Sequence, residues 1–420
     1  MNPVLALALV AVVALLATRL PRLPVPRSPT LDVVLAGGTP LVLLGLLLGT
    51  GIDALDGPTL SALAPVTALA VGWIGAGFGA RCEWRLLRRL PRRVGVLLLG
   101  QAAAAFAAVA LAAWLLTRYV PALDAAWGPR FPVVLTLAAV AAASGPDAIA
   151  LVARARGVRR SVARTIGRAA LFDTLVGVLA VTLALAVYHP RQHTGSALLA
   201  FASWLARAGG AGVMVGLVFV SLSGLLPQRD DFGFALLAVL LFGAGLGWAA
   251  DLSPFVVCAL AGALIVNFSP SRRRVQASLA AWEPHIAAVV LISAGALLTL
   301  PTLWILVAVP VLATLRVAAK WGVGRGALAR ARAVGLPPPP LDWGLATVAQ
   351  GGVALALAVN FFLTYAGAPR ETSSAVVTTI VLGVVLAQGA ALPFLGRALA
   401  VPRLTPGPRA TELSADSRAD

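Results

Sequence analysis

The sequence predicts an all-α polytopic membrane protein with about 13 transmembrane helices, and composition is the first reason. Hydrophobic residues make up 60% of the 420-residue chain, charged residues make up 12%, and the mean hydropathy is +0.92. A soluble fold of this length needs more charged surface. In a bilayer every backbone polar group must be satisfied inside the span, so apolar stretches of about 20 residues are expected to be helices.

Apolar stretches separated by Arg, Pro and Gly define the individual spans. We predict spans at residues 2–18, 33–52, 61–80, 94–117, 131–153, 166–188, 196–226, 232–250, 254–268, 283–300, 302–322, 343–366 and 374–396. The first lacks the basic region and cleavage site of a signal peptide, so we expect it to be retained. The seventh carries Arg207 and is either one tilted helix or a helix with a re-entrant piece. Residues 1–401 form the predicted membrane domain, and residues 402–420 a disordered cytoplasmic tail.

Positive charge alternates with the predicted spans, which is the third reason for this fold class. Most of the 33 lysine and arginine residues lie in the tail or in loops after odd-numbered spans. The loops after even-numbered spans hold only Arg118, Arg130, Arg191 and Arg370. The positive-inside rule then predicts a multi-pass protein of the plasma (inner) membrane, with the N-terminus outside and the C-terminus in the cytoplasm. The net charge of +17 follows from this topology, so no nucleic-acid partner is expected.

The sequence gives no evidence of a metal site, a disulfide or an enzyme active site. Cys82 and Cys258 have no metal-like partner spacing, and His189, His193 and His285 do not cluster with carboxylates. The spans contain no Ser/His or His/carboxylate constellation of the kind that catalysis needs. We therefore expect no cofactor and no enzymatic activity.

Ionisable residues inside the spans are few, and such residues are costly and usually functional. Asp147 and Asp173 lie well inside spans, and Glu283 lies at the mouth of the tenth. Arg316 and Lys320 share the eleventh span, and Lys320 is the only lysine of the chain. A desolvated lysine can lose its proton, whereas arginine keeps its proton. The alternative for Lys320 is a side chain that snorkels towards the membrane surface.

Two spans are interrupted by helix-breaking residues. The interruptions comprise Ser144, Gly145, Pro146, Gln350, Gly351 and Gly352. Glycine and proline end a helix and free its backbone groups, and interrupted helices beside a carboxylate form the ion sites of many secondary transporters. Asp147 adjoins the first interruption, for which a simple proline kink is the alternative. Asp173 follows on the next helix, where a carboxylate in low dielectric can hold a proton or release it to a small cation. The alternative for Asp173 is a buried carboxylate that pairs with Arg or Lys only to pack the helices together.

These residues, in this order, resemble the monovalent cation:proton antiporter superfamily, in particular the sodium/hydrogen exchanger family. The similarity extends from about Thr39 to Pro393. Its motifs are Pro40 to Gly49, Gly79 to Leu87, Ser144 to Ala150, Gly167 to Asp173, Leu252 to Phe255, Ala261 to Ala263, the pair Glu283-Pro284 at a helix start, Lys320, and Gln350 to Gly352. The resemblance implies an inverted-repeat antiporter fold with two broken, crossing helices, a homodimer and elevator-like alternating access.

The resemblance also implies roles for the candidate residues. Asp173 would bind proton and cation competitively, while Asp147, Ser144 and freed carbonyls line the site. Lys320 and Arg316 would compensate charge. The implied function is a secondary active transporter that exchanges a monovalent cation, Na+ or K+, for protons across the lipid bilayer, with no metal beyond that cation.

The chain also departs from the family pattern. Phe172 stands where many relatives carry Asn or Asp, and the order Gly145-Pro146-Asp147 permutes the usual Thr-Asp-Pro. These departures leave open an alternative function, a diverged transporter-like sensor or accessory subunit without transport activity.

Overall fold

A computed structural model of the chain describes residues 3–17, 33, 37–88, 92–128, 130–188, 197–223, 229–333, 342–365 and 370–399. These residues form helices and no strand, so the predicted all-α class is confirmed. Seven of the described helices, and the interrupted stretch Phe131–Ala155, are long and apolar enough to cross a membrane. His189, His193 and the tail 402–420 lie outside the described residues.

The N-terminal half of the described chain contains ten helices. They are α1 (Pro3–Ala17), α2 (Thr39–Leu46, continued by a π-helical turn over Leu47–Gly51), α3 (Gly57–Ala62), α4 (Ala64–Arg81), α5 (Trp84–Leu87), α6 (Arg92–Tyr119), α7 (Pro121–Trp127), α8 (Arg130–Ala142), α9 (Pro146–Ala155) and α10 (Arg160–Tyr188). The fifth predicted span is divided between α8 and α9, with the Gly-Pro interruption between them.

The C-terminal half of the described chain contains eight helices. They are α11 (Ala197–Ser223), α12 (Arg229–Ala249), α13 (Pro254–Phe268), α14 (Arg272–Ala296), α15 (Trp304–Ala333), α16 (Trp343–Ala346), α17 (Gly352–Thr364) and α18 (Arg370–Leu399). The twelfth predicted span is divided between α16 and α17. Each predicted span thus overlaps a helix or a pair of half-helices, while the total of 13 membrane crossings stays a prediction.

Several span boundaries differ from the prediction. The tenth predicted span covers 283–300, but α14 begins at Arg272, so Glu283 and Pro284 lie within the helix and do not open it. The arginine residues at the start of α14 lower the hydropathy of this segment without ending the helix, so a hydropathy-based boundary falls too late in the chain. The eleventh span likewise continues as helix to Ala333. The seventh, with Arg207, is one continuous helix, α11.

The helices pack as two bundles. The outer bundle contains α2, α4 and α11 to α14, with α4 and α13 in the most extensive contact. The crossover bundle contains α6, α8 to α10 and α15 to α18. The bundles meet mainly where α17 packs on α4 and α14, and where α10 packs on α11.

Small residues bring α4 and α13 close together. A Cβ atom added at Gly79 would lie 1.9 Å from the carbonyl oxygen of Ala259, and one added at Gly262 would lie 2.3 Å from that of Ala76. Close backbone approach through small residues is how helices associate where lipid provides no hydrophobic drive. Within the outer bundle, α4 and α13 are therefore in close backbone contact.

Candidate functional site

The two interrupted helices cross at their breaks. The backbone N–H of Gly145 donates to the carbonyl oxygen of Ala349 at 2.8 Å. A Cβ atom at Gly145 would lie 2.5 Å from the backbone nitrogen of Gly351, so this crossing requires glycine at position 145. The Gln350 side chain donates from Nε2 to the carbonyl oxygen of Val140 at 2.8 Å. Gly145 and Gln350, two of the predicted crossover residues, thus join one break to the other.

Arg316 satisfies the carbonyl groups that the breaks expose. It lies on α15 and is 3% exposed. Its Nε donates to the Ala141 oxygen at 2.7 Å, Nη2 to the Ala143 oxygen at 3.0 Å, and Nη1 to the Val348 oxygen at 2.7 Å. The last carbonyls of a helix have no partner within it and carry partial negative charge. The planar guanidinium therefore neutralises the C-terminal ends of both first half-helices at once.

Lys320, one helical turn after Arg316, forms a buried ion pair with Asp173. Its Nζ lies 2.8 Å from Asp173 Oδ2 and 2.6 Å from Ser144 Oγ, and both charged side chains are fully buried. Ser144 Oγ is within hydrogen-bond distance of Asp173 Oδ2 (2.9 Å) and of the Thr347 carbonyl oxygen (2.7 Å), and its single proton can go to either. The predicted residues Ser144, Asp173 and Lys320 are thus in direct contact, and Lys320 does not snorkel.

The helix α10 presents Asp173 to the first break. The neighbouring Thr174 hydroxyl donates to the Ala170 carbonyl oxygen at 2.7 Å and also contacts the carbonyl oxygen of Ser144. The second oxygen of Asp173, Oδ1, has no hydrogen-bond partner among the described residues. Buried carboxylate oxygens are rarely left without a partner. Oδ1 is therefore an unsatisfied acceptor at the edge of this cluster.

Oxygen atoms of three kinds surround the Lys320 ammonium, on the Oδ2 side of Asp173: a carboxylate, a hydroxyl and a freed backbone carbonyl. They come from Asp173, Ser144 and Thr347, and Thr347 was not recognised from the sequence. Unwound backbone and carboxylates of this kind coordinate sodium ions and protons in transporters with discontinuous helices. Thr347 lies three residues before Gln350, outside the predicted second interruption. Its contact with Ser144 depends on the bend of the backbone at the break, which the sequence does not show. The cluster has the chemistry to hold a small cation in place of the lysine ammonium.

Asp147 lies in a different cluster. Its Oδ2 is 2.6 Å from Nη1 of Arg81, whose Nη2 is 2.8 Å from Oε1 of Glu283. The Asp147 side chain is 47% exposed, and no ion pair or hydrogen bond joins it to Asp173 within the described part of the chain. Sequence reasoning missed Arg81. The only signal was its place in Gly79-Ala80-Arg81, where the resembling motif of the family reads Gly-Leu-Glu.

An apolar cavity borders the crossing on another side. It has a volume of about 480 Å³ and lies between α6, α8, α15 and α18. Arg316 and Gln350 are among its few polar lining residues, while Asp173 and Lys320 do not line it. The cavity therefore offers no polar path to the ion pair.

A family model described as the transmembrane region of the sodium/hydrogen exchanger matches residues 77–398. The chain belongs to the sodium/hydrogen exchanger family. The matched residues include every member of both clusters, and the family assignment made from the sequence is confirmed. No curated protein matches this sequence.

Solved structures show that the sodium/hydrogen exchanger chain has an antiporter fold. A structure of the sodium proton antiporter MjNhaP1 from Methanocaldococcus jannaschii at pH 8 aligns with a TM-score of 0.65 and 16% identity, covering 95% of this chain and 98% of that one. A second MjNhaP1 structure, from electron microscopy, aligns with a TM-score of 0.61 and 16% identity, covering 96% and 98%. At this identity the likeness concerns the fold.

Proposed function

We propose that this chain is a secondary active transporter that exchanges a monovalent cation, Na+ or K+, for protons by alternating access. Membership of the sodium/hydrogen exchanger family supports cation:proton exchange, and a transporter rather than an enzyme. The observation that carries the proposal is the fully buried Lys320–Asp173 pair at the helix crossing, with Asp173 Oδ1 unpartnered.

The geometry supports a competition at Asp173. In the arrangement described here, the carboxylate is held by the Lys320 ammonium and the Ser144 hydroxyl. A cation that enters at Oδ1 replaces the ammonium as the counter-charge of Asp173. The displaced ammonium is then left in a dry site, where a lysine can give up its proton. Cation binding and proton release are coupled in this way, and protonation of the site reverses the exchange.

Arg316 keeps the site assembled through this cycle. Because arginine does not lose its proton, its charge at the helix ends is constant whatever the state of Lys320. Asp147, expected from the sequence to line the cation site, is held by Arg81 in this structure, so we assign the binding role to Asp173 and Ser144.

The wider setting of the proposal comes from the sequence and the family. We propose that the protein lies in the plasma (inner) membrane as a homodimer, with the C-terminus in the cytoplasm. Lipid bilayer, cation and proton are its partners. The sensor alternative is not favoured, because an ion pair with an open carboxylate position is retained in the core.

Reconstitution tests this function directly. Purified protein in proteoliposomes containing a pH-sensitive dye receives pulses of Na+, K+ or Li+, and proton movement is recorded. The matched variants are Asp173→Asn and the double variant Asp173→Asn/Lys320→Gln. The single variant leaves the buried Lys320 without its counter-charge, which costs about 3–5 kcal/mol when a buried ion pair loses one partner. The double variant removes both charges and preserves the fold better.

We expect at least one cation to drive proton movement in the unmodified protein and none to do so in either variant. Folded, unmodified protein that moves no protons with any cation supports the sensor alternative. Full exchange in the double variant shows instead that the binding carboxylate is elsewhere.

A further inference from the structure

The cluster of Arg81, Asp147 and Glu283 joins the two bundles. Arg81 is the last residue of α4 and Glu283 lies midway along α14, so both belong to the outer bundle. Asp147 lies in the first turn of α9, in the crossover bundle. One guanidinium therefore pairs with two carboxylates from opposite sides of the bundle boundary.

Arg81 is held unequally by its two partners. Nη2 donates to both oxygens of Glu283, at 2.8 and 3.0 Å, along two helices that pack closely on each other. Nη1 donates to Asp147 alone, at 2.6 Å, while α9 packs mainly on α10 and α18 of its own bundle. If the contact with Asp147 opens, Glu283 still neutralises Arg81. The pair can therefore separate without leaving the guanidinium uncompensated.

Exposure also distinguishes this cluster from the ion pair of the site. The side chains of Arg81, Asp147 and Glu283 are 30%, 47% and 34% exposed, whereas those of Lys320 and Asp173 are fully buried. Ion pairs that water reaches are weak and open readily. Such an ion pair can break and form again, so it suits two bundles that move relative to each other.

We propose that the Arg81–Asp147 pair is an ionic latch between the bundles, closed in this structure and opened whenever the crossover bundle moves during exchange. The proposal rests on the alternating-access function proposed above. Asp147 follows Pro146 directly at the start of α9, so the latch holds the half-helix that begins at the ion site. Arg81 is thus a positioning residue, which acts on the site through α9.

A second ion pair supplies a matched control. Glu83 follows α4, and Arg272 is the first residue of α14, with Nη1 of Arg272 2.7 Å from Oε1 of Glu83. Both elements belong to the outer bundle, so this pair spans no moving boundary. Glu83 lies close to Arg81 in sequence, and the N–O distance of its pair with Arg272, 2.7 Å, is nearly the 2.6 Å of the latch.

The test compares crosslinks at the two pairs. In a Cys82→Ser/Cys258→Ser background, one protein carries Arg81→Cys/Asp147→Cys and the other Glu83→Cys/Arg272→Cys. Each is reconstituted, treated with a short thiol crosslinker that contains a reducible bond, and assayed for cation-driven proton movement before and after reduction. We expect the 81–147 crosslink to remove most of the exchange and reduction to restore it, because a fixed latch prevents the bundles from moving. The 83–272 crosslink should leave exchange unchanged.

The outcomes separate the latch from the function on which it rests. If the uncrosslinked background protein shows no exchange with any cation, the proposed function fails and the latch with it. If the background protein exchanges and the crosslinked 81–147 protein exchanges equally well, the latch alone is overturned, because the pair then stays closed throughout exchange. Equal loss of exchange with both crosslinks also overturns it, since the effect would not depend on the bundle boundary.

Discussion

At the scale of single residues, the Lys320–Asp173 pair is poorly explained by stability. Removing two charges from water costs several kcal/mol per ion, and well-packed apolar residues in place of a buried pair are often neutral or stabilising. Arg316, one helical turn away, makes three hydrogen bonds to backbone carbonyl groups, and these bonds account for its burial. Among the described residues, Lys320 reaches only one freed carbonyl, that of Thr347 at 3.4 Å, and its two shorter contacts are with the side chains of Ser144 and Asp173. Its retention as the single lysine of the chain is consistent with a proton that must be released.

The residue-scale prediction contrasts two substitutions of Lys320. Lys320→Arg keeps a positive charge beside Asp173 but cannot release a proton, so we expect it to lose most cation-driven proton movement. Lys320→Gln removes the competing charge, and we expect weakened exchange with an altered pH dependence because Asp173 loses its positive neighbour. Exchange in proteoliposomes over a range of pH is the measurement, and thermal melting in detergent confirms that each variant is folded. Full exchange by Lys320→Arg would show that Lys320 carries no proton.

At the scale of helices, several backbone groups freed by the breaks have partners outside their own helix. Gly145 and Ala349 bond directly, Gln350 bonds the end of α8, and Arg316 reaches the ends of both α8 and α16. These partners come from the two breaks themselves and from α15. The crossing is therefore a property of the assembled bundle, and the sequence of each span accounts only for the position of its own break.

The element-scale prediction uses two glycines of the crossing. In Gly145→Ala the new methyl group meets the backbone of Gln350 and Gly351 at 2.8 Å or less, so the two breaks must separate. We expect a loss of about 1–3 kcal/mol, as for other overpacked sites, together with most of the exchange. Gly352→Ala is the control, because a Cβ at Gly352 meets nothing within 4 Å. Thermal melting and proton movement are compared for the two. Equal tolerance of both substitutions would contradict the close crossing.

At the scale of the whole molecule, the sequence predicted the helices and the breaks but not all of the contacts between them. Apolar length and helix-breaking residues are local signals, and they located the spans and both interruptions. The charged start of α14 was missed because polar residues at a membrane boundary lower hydropathy without ending a helix. The pairing of Asp147 with Arg81 was missed because it depends on how α9 lies against the outer bundle. Lys320 and Asp173 are both predictable as candidate site residues, because charge inside a span is rare.

The topology of the whole chain is the remaining prediction, and it depends on counting the crossings correctly. Thirteen spans, with the N-terminus outside, leave the chain in the cytoplasm after residue 402, as the arginine-rich odd-numbered loops require. A reporter that functions only in the cytoplasm should therefore be active when fused after Pro402. The same reporter fused to a chain ending at Tyr119, after the fourth span, should be silent. Comparable expression of both fusions is verified by immunoblot. A silent fusion at Pro402 would mean that one predicted span does not cross the membrane, and an active fusion at Tyr119 would place that error within the first four spans.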